Sequence, residues 1–137
     1  MFMFTGFSNK ANAALNSAVG CAEDMGHTYV GSEHILAGLL KDPTNVASVM
    51  LSTKKINYQT FYEVIRMNIG VGFPTKLTQN DITPRAGRIL RNAVSGAAAD
   101  GSAVAGTEHI LSAILKEPSC FAKTASTFMV AVRGVRV

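Results

Sequence analysis

An internal repeat limits the folds open to this chain more than any other feature of its sequence. When the sequence is shifted by 75 positions, residues 7–47 align without a gap to residues 82–122, and 15 of the 41 aligned pairs are identical. The longest shared segment reads GSEHIL at 31–36 and GTEHIL at 106–111. A duplication of this kind predicts two similar units that bury their apolar faces against each other.

The first helix of each copy is predicted from apolar residues that recur at helical spacing. They fall at i, i+3, i+4, i+7, i+8 and i+11 across residues 11–22 in the first copy and residues 86–97 in the second, which places them on one helix face. Ser8 and Thr83 precede these stretches and are hydroxyl residues of the kind that cap helix N-termini. Glycines that favour helix ends follow both stretches, namely Gly26 and Gly101.

The second helix of each copy begins within the shared segment. Ser32 and Thr107 are predicted to be its N-caps, and the apolar residues that follow them form one buried face. Pro43 and Pro118 set the limit of each helix, because proline cannot continue one.

The two copies are predicted to differ after this point. The first copy continues with a short helix near residues 46–51 and then a fourth helix, and the glycine-containing stretch 70–81 is interpreted as a connector. In the second copy, residues 126–137 mix apolar residues with glycine and arginine, so we expect its last helix to be truncated or irregular. The sequence therefore predicts an all-α chain with one repeat at 7–69 and another at 82–137.

Composition supports a single folded domain. The chain has 137 residues, of which 47% are hydrophobic and 16% charged, so it is too short for a two-domain enzyme and too apolar to be disordered. Aromatic residues make up only 7% and tryptophan is absent, which favours packed helices over a β-sandwich or barrel. The net charge of +4 comes from scattered basic residues, and it does not by itself indicate a nucleic-acid partner.

Cysteine usage and apolar runs indicate the expected compartment. Cys21 and Cys120 lack CxxC spacing and fall in predicted helices, so we expect free thiols in a reducing environment and hence a cytoplasmic protein. The apolar opening stretch has no basic leader, and no apolar run reaches 18 residues. We therefore expect neither a signal peptide nor a membrane span.

The doubled G-[ST]-E-H-[IL]-L segment, with the TPRA sequence that opens the second copy, resembles the Clp N-terminal repeat domain, the ClpC type in particular. The resemblance covers roughly residues 2–125. It implies two four-helix repeats packed with pseudo-twofold symmetry into one domain that is not an enzyme. Such a domain docks adaptor proteins and receives marked substrate proteins for an AAA+ ATPase ring and its protease. The chain departs from the family pattern at Ser32, where threonine is usual.

The resemblance also implies phosphoarginine binding by the glutamate of each shared segment, here Glu33 and Glu108. A carboxylate in the first turn of a helix is stabilised by the helix dipole and can hold a guanidinium through two hydrogen bonds. The phosphate needs donors, and a helix start supplies them. We expect two related pockets, each joining one glutamate to the start of a first helix. The hydroxyl and cationic residues at those starts are Ser8 with Lys10, and Thr83 with Arg85.

Purely structural roles stay open for all of these residues. The glutamates could serve only to stabilise their helix starts, the hydroxyls only to cap helices, and the cations only to face solvent. His34 and His109 follow the glutamates, but adjacent helical residues point about 100° apart, whereas helical metal ligands are spaced three or four residues apart. We therefore predict packed histidines and no metal or other cofactor.

Three alternative functions remain at this point. The positive net charge fits a basic helical module that binds nucleic acid, and the Glu–His pairs suggest a small metal-dependent enzyme. The third alternative is a freestanding regulatory Clp-repeat protein. The sequence contains neither a GxxxxGK[ST] phosphate loop nor a GxSxG motif, so nucleotide binding and serine hydrolase chemistry are not predicted.

Overall fold

The computed structural model describes residues 2–118 of the chain. Within these residues the chain forms six α-helices and one short 3₁₀ helix, Gln79–Asp81, in the predicted connector. The α-helices are α1 (Asn9–Asp24), α2 (Ser32–Lys41), α3 (Val46–Ser52), α4 (Tyr58–Asn68), α5 (Pro84–Ala99) and α6 (Thr107–Lys116). The predicted all-α class is confirmed. The predicted irregular tail at 126–137 lies outside the described residues.

Helices α1 and α5 occupy equivalent positions in the two copies and begin and end as predicted. The Ser8 hydroxyl accepts a hydrogen bond from the backbone N–H three residues later at 3.1 Å, and the Thr83 hydroxyl does the same at 3.1 Å. Both helices end beside a glycine with positive φ, 73° at Gly26 and 85° at Gly101. Other residues rarely adopt this conformation, so these glycines favour the helix ends.

Helices α2 and α6 begin differently from the prediction. Their N-caps are Gly31 and Gly106, while Ser32 and Thr107 are the first helical residues. In both copies the backbone N–H of the N-cap glycine donates to Nδ1 of the histidine three residues later, at 2.9 Å. The predicted caps at Ser32 and Thr107 are wrong, because the glycine before each of them is the N-cap and the imidazole of a histidine accepts a hydrogen bond from its N–H. The prediction of packed histidines is confirmed by the same bonds.

Two short backbone bridges join the copies within the described residues, and the shift of 75 positions converts one into the other. In the first, the Ser8 N–H donates to the Ala105 carbonyl at 2.9 Å, and the Ala105 N–H donates back across the bridge at 2.8 Å. In the second, the Thr83 N–H donates to the Val30 carbonyl at 3.0 Å, and the Val30 N–H donates back at 2.9 Å. The start of α1 therefore lies beside the start of α6, and the start of α5 beside that of α2.

The hydrophobic core is built by both copies. Alanines line the buried face of α1, so that α2 packs closely against it. Larger side chains from the other helices fill the rest of the interior. The large apolar side chains that are almost completely buried include Ile35, Leu36, Leu39, Phe61, Ile65, Ile89, Ile110 and Ile114.

An N-terminal arm at residues 2–7 lies along α1 and is held by two asparagines one helical turn apart. The side-chain amide of Asn12 accepts from the Phe4 N–H at 2.7 Å and donates to the Phe4 carbonyl at 3.1 Å. Asn16 makes the same pair of bonds with Phe2, both at 2.8 Å. The Phe4 side chain is buried in the core, so the two asparagines fix an arm whose position no sequence pattern predicts.

Asn12→Ala should release this arm from α1. The substitution removes both bonds to Phe4 and should lower the free energy of unfolding by about 2 kcal/mol. Hydrogen exchange at the Phe4 amide should accelerate, which mass spectrometry can measure. Asn92→Ala, at an exposed position on α5, is the control: it should leave exchange at Phe4 unchanged and raise the free energy of unfolding by no more than about 0.7 kcal/mol through helix propensity. Unaltered protection of the Phe4 amide in Asn12→Ala would contradict this account of the arm.

Candidate functional site

A surface cavity of about 360 Å³ opens where the starts of α1, α3 and α6 meet. The bridge between Ser8 and Ala105 brings the first and last of these helices together. Unpaired backbone N–H groups and the positive dipole end make the start of a long helix attractive to anions. The cavity is lined by Ser8, Lys10, Thr44, Asn45, Val46, Ser102, Val104, Gly106, Thr107, Glu108 and His109.

Glu108 supplies an exposed carboxylate to this cavity. It lies in the first turn of α6, where the helix dipole stabilises a negative charge. Its side chain folds back over the N-cap Gly106, so closely that an added Cβ at that glycine would collide with Glu108 Oε1. The glycine of the shared segment therefore makes room for the carboxylate of the glutamate two residues later.

Lys10 supplies a positive charge to the same cavity. Its Nζ lies 3.1 Å from Asp42 Oδ2 and 3.1 Å from the Thr44 hydroxyl, and its side chain is 62% exposed. Hydrogen bonds from the Thr44 hydroxyl and backbone N–H, together with Lys10, lower the pKa of Asp42 to about 2. Because Glu108 and Lys10 line one cavity, the site is suited to a ligand that carries both a cation and an anion.

Helix α3 completes the wall of the cavity. The Thr107 hydroxyl accepts a hydrogen bond from the Ala47 N–H at 3.3 Å, which ties the start of α3 to the start of α6. Asn45 caps α3, and Val46 and Val104 leave apolar surface at the cavity, 51% and 44% exposed. Neither α3 nor its cap was predicted to belong to the site, although an asparagine directly before an apolar helix is a recognisable start signal.

The equivalent glutamate of the first copy lies in different surroundings. Glu33 is only 6% exposed, and its Oε2 accepts a hydrogen bond from the Tyr29 hydroxyl at 2.9 Å. The shift of 75 positions places Val104 where the first copy has Tyr29. We expected two related pockets, but the structure gives the two glutamates different exposures, and a tyrosine hydroxyl is bonded to the buried one.

Thr83 and Arg85 do not line the cavity that contains Glu108. Thr83 is bonded to Val30, beside the start of α2. Arg85 Nε lies 3.8 Å from Oε2 of Glu117. This pair is equivalent to the Lys10–Asp42 pair of the first copy. Arg88 also donates to Glu117, at 2.7 Å, and its hydrogen bonds lower the pKa of that carboxyl. The structure therefore groups Ser8, Lys10 and Glu108 at one cavity. The other two predicted phosphate donors, Thr83 and Arg85, lie outside it at the start of α5, which is beside the start of α2.

The histidines of the shared segments belong to hydrogen-bond networks. His34 Nε2 lies 2.6 Å from His27 Nδ1, and His27 Nε2 lies 2.8 Å from the Gly70 carbonyl oxygen. Burial, with a smaller effect of His27, lowers the pKa of His34 to about 3. His109 Nε2 instead lies 2.7 Å from Asp100 Oδ2. In residues 2–118 no three His, Cys, Asp or Glu side chains converge as a metal site would require.

Several basic side chains are offset by neighbouring carboxylates. Lys10 pairs with Asp42, Arg66 with Glu63, and both Arg85 and Arg88 with Glu117. These pairs reduce the local positive charge that a nucleic-acid interface would need. Among the helices that the structure describes, none combines the length and apolar character of a membrane span.

Comparison with known proteins gives a consistent result. A sequence model of the Clp repeat (R) N-terminal domain matches residues 6–127. Over 115 residues the chain is 32% identical to the "ATP-dependent Clp protease ATP-binding subunit ClpA homolog" of Porphyra purpurea and 33% identical to the chloroplastic "Chaperone protein ClpC1" of Oryza sativa subsp. japonica. These matches cover 84% of this chain but only 14% and 12% of the relatives. The chain thus spans about one eighth of their length.

Two solved structures share the fold. The N-terminal domain of ClpD from Arabidopsis thaliana has a TM-score of 0.68 at 16% identity, over 96% of this chain and 99% of the other. The Hsp104 N-terminal domain from Candida albicans has a TM-score of 0.64 at 18% identity, over 95% and 93%. Because ClpC1 is a chloroplastic protein, the cytoplasmic location stays a prediction for this chain.

Proposed function

The chain belongs to the Clp repeat N-terminal domain family, and from this membership we propose that it recognises adaptor proteins and marked substrate proteins for a Clp ATPase. Two of its relatives are named as an ATP-binding subunit of the Clp protease and as a chaperone. The chain matches only a small part of each. Recognition without catalysis is therefore its proposed role, and the ATPase would lie elsewhere in the polypeptide or in a partner.

The proposed ligand is a protein segment that carries phosphoarginine. The observation that supports it is the cavity that holds Glu108 and Lys10 at the starts of α6 and α1. Glu108 would accept hydrogen bonds from the guanidinium, while Lys10 and the Ser8 end of α1 would hold the phosphate. The aliphatic part of the arginine would lie against Val46 and Val104.

The affinity of one such site should be modest. Each hydrogen bond to a charged group contributes about 1.5–3 kcal/mol, and association costs a large part of the sum. An affinity in the micromolar range follows, at about −8 kcal/mol of binding free energy. Several domains on one ATPase ring would raise the effective affinity for a protein with several marks.

Glu108→Gln should weaken phosphoarginine binding about 10- to 100-fold. The substitution keeps the shape of the side chain but removes the charge that pairs with the guanidinium, which corresponds to about 1.5–3 kcal/mol. Calorimetric titration of the 137-residue chain with free phosphoarginine measures the change.

Glu63→Gln is the matched control, because it changes the net charge equally at an exposed position on α4, outside the cavity. It should bind as the wild type does. Equal dissociation constants for Glu108→Gln and the wild type would remove the cavity from the proposed function, and a wild type that shows no heat with phosphoarginine would remove the ligand.

A further inference from the structure

The two shared segments differ most in what surrounds their glutamates. The second copy has Ser102 and Val104 where the first has His27 and Tyr29. Glu108 is exposed, whereas Glu33 is 6% exposed. The GSEHIL and GTEHIL segments are nearly identical, but all four residues before them differ, HTYV at 27–30 against SAVA at 102–105. His27 and Tyr29 are the two of these that carry aromatic rings in the first copy only.

Tyr29 occupies the space in front of Glu33. Its hydroxyl donates to Glu33 Oε2 at 2.9 Å, and its ring lies so near Gly31 that an added Cβ there would be 3.1 Å from the ring. The ring is held on two sides, since it stacks on His27 at 5.7 Å between centroids and meets the edge of His34 at 5.2 Å. A phosphoguanidinium that approached Glu33 from this side would have to displace the ring.

The hydrogen bond between Tyr29 and Glu33 is maintained at neutral pH. Burial and the neighbouring carboxylate raise the pKa of Tyr29 to about 12, so the phenol keeps its proton and donates to Glu33 throughout the neutral range. Oε2 of Glu33 thus already accepts one hydrogen bond within the protein, which leaves a guanidinium fewer acceptor positions and only the sides that Tyr29 does not occupy. Glu108 has Val104 at the equivalent position, and a valine side chain has no hydrogen-bond donor.

We propose that this domain binds a single phosphoarginine, at Glu108, and that Tyr29 with His27 closes the equivalent site at Glu33. The proposal rests on the proposed function of the cavity. In this proposal Tyr29 sets the binding stoichiometry, that is, how many phosphoarginine groups one domain can hold.

Transplanting the flanking residues between the copies tests this proposal. In calorimetric titrations with free phosphoarginine, the wild type should bind about one molar equivalent, and Glu33→Gln should leave that binding unchanged. The double substitution His27→Ser with Tyr29→Val, which copies the second repeat, should raise the stoichiometry to about two. Ser102→His with Val104→Tyr should lower the affinity of the open site at least tenfold. Tyr62→Val, which removes a tyrosine of α4, is the control and should behave as the wild type.

Chemical labelling tests whether Glu33 is accessible to solvent in the absence of any ligand. Carbodiimide coupling of glycine ethyl ester, read by peptide mass spectrometry, should modify Glu108 in the wild type and spare Glu33, and the His27→Ser, Tyr29→Val variant should expose Glu33 to modification. Two equal sites in the wild type, or equal labelling of both glutamates, would overturn the proposal while leaving the proposed function in place. A wild type that binds no phosphoarginine would instead contradict the proposed function, and the single-site proposal would fail with it.

Discussion

Gly38→Ala should lower the free energy of unfolding by about 3 kcal/mol and the melting temperature by about 10 °C. An added Cβ at Gly38 would collide with the Ala14 carbonyl oxygen and would lie 2.7 Å from the Ala18 nitrogen. Both neighbours are backbone atoms of α1, so they cannot turn aside as a flexible side chain does. Helices α1 and α2 must therefore move apart, and the alanines on the buried face of α1 lose their contacts with α2. Thermal and urea unfolding followed by circular dichroism measure the effect.

The control for this substitution is another glycine inside a helix. Gly20 lies in α1 with no atom near the position of an added Cβ, so Gly20→Ala should raise the free energy of unfolding by up to about 1 kcal/mol through helix propensity alone. If Gly38→Ala were as stable as Gly20→Ala, the close crossing of α1 and α2 would not exist in solution.

The repeat alone does not indicate that this position excludes alanine. The shift of 75 positions aligns Gly38 with Ala113, which suggests that alanine is tolerated in both copies. In the second copy, however, Ile89 stands where the first has Ala14, and a larger residue at a helix contact favours a wider separation. Close contact between two helix backbones depends on the residues of both helices, so neither sequence stretch predicts it alone.

The helices that the sequence predicted well are those whose signals are local. Ser8 and Thr83 cap α1 and α5, and Gly26 and Gly101 follow their ends, as the residue types indicated. Local signals were misleading at α2 and α6, where a histidine outside the usual set of capping residues accepts the bond from the N-cap glycine. The serine and threonine of the shared segments were therefore assigned the wrong position.

The expected proximity of a glutamate to the start of a first helix is seen at Glu108, whereas the different exposure of the two glutamates was not predicted. Family resemblance and helix electrostatics selected Glu108, Ser8 and Lys10, which the structure brings to one cavity. The burial of Glu33 was not predicted, because its segment is almost the same as that of Glu108. Glu33 accepts a hydrogen bond from the hydroxyl of Tyr29, four residues earlier, and this contact is visible only in the folded loop.

Acidification should destabilise the fold by about 2 kcal/mol between pH 7 and pH 5 through His34 alone. Burial lowers the pKa of His34 from 6.5 to about 3, and Nδ1 is already an acceptor for the Gly31 N–H. Between these two pKa values the unfolded chain binds a proton that the folded chain does not, so the free energy of unfolding falls as the pH falls. The limiting slope is about 1.4 kcal/mol per pH unit.

His34→Gln isolates this contribution, because glutamine at the third helical position can accept the same bond from the N-cap N–H. The variant should lose the decline between pH 7 and pH 5, as measured by urea unfolding at several pH values. His109→Gln, the equivalent change beside Asp100, should keep the decline that is due to His34. The lowered pKa values of Asp42, Asp100 and Glu117 affect stability mainly below about pH 4.5, outside this window. A decline of the same size in His34→Gln would show that the imidazole is not held neutral in the folded protein.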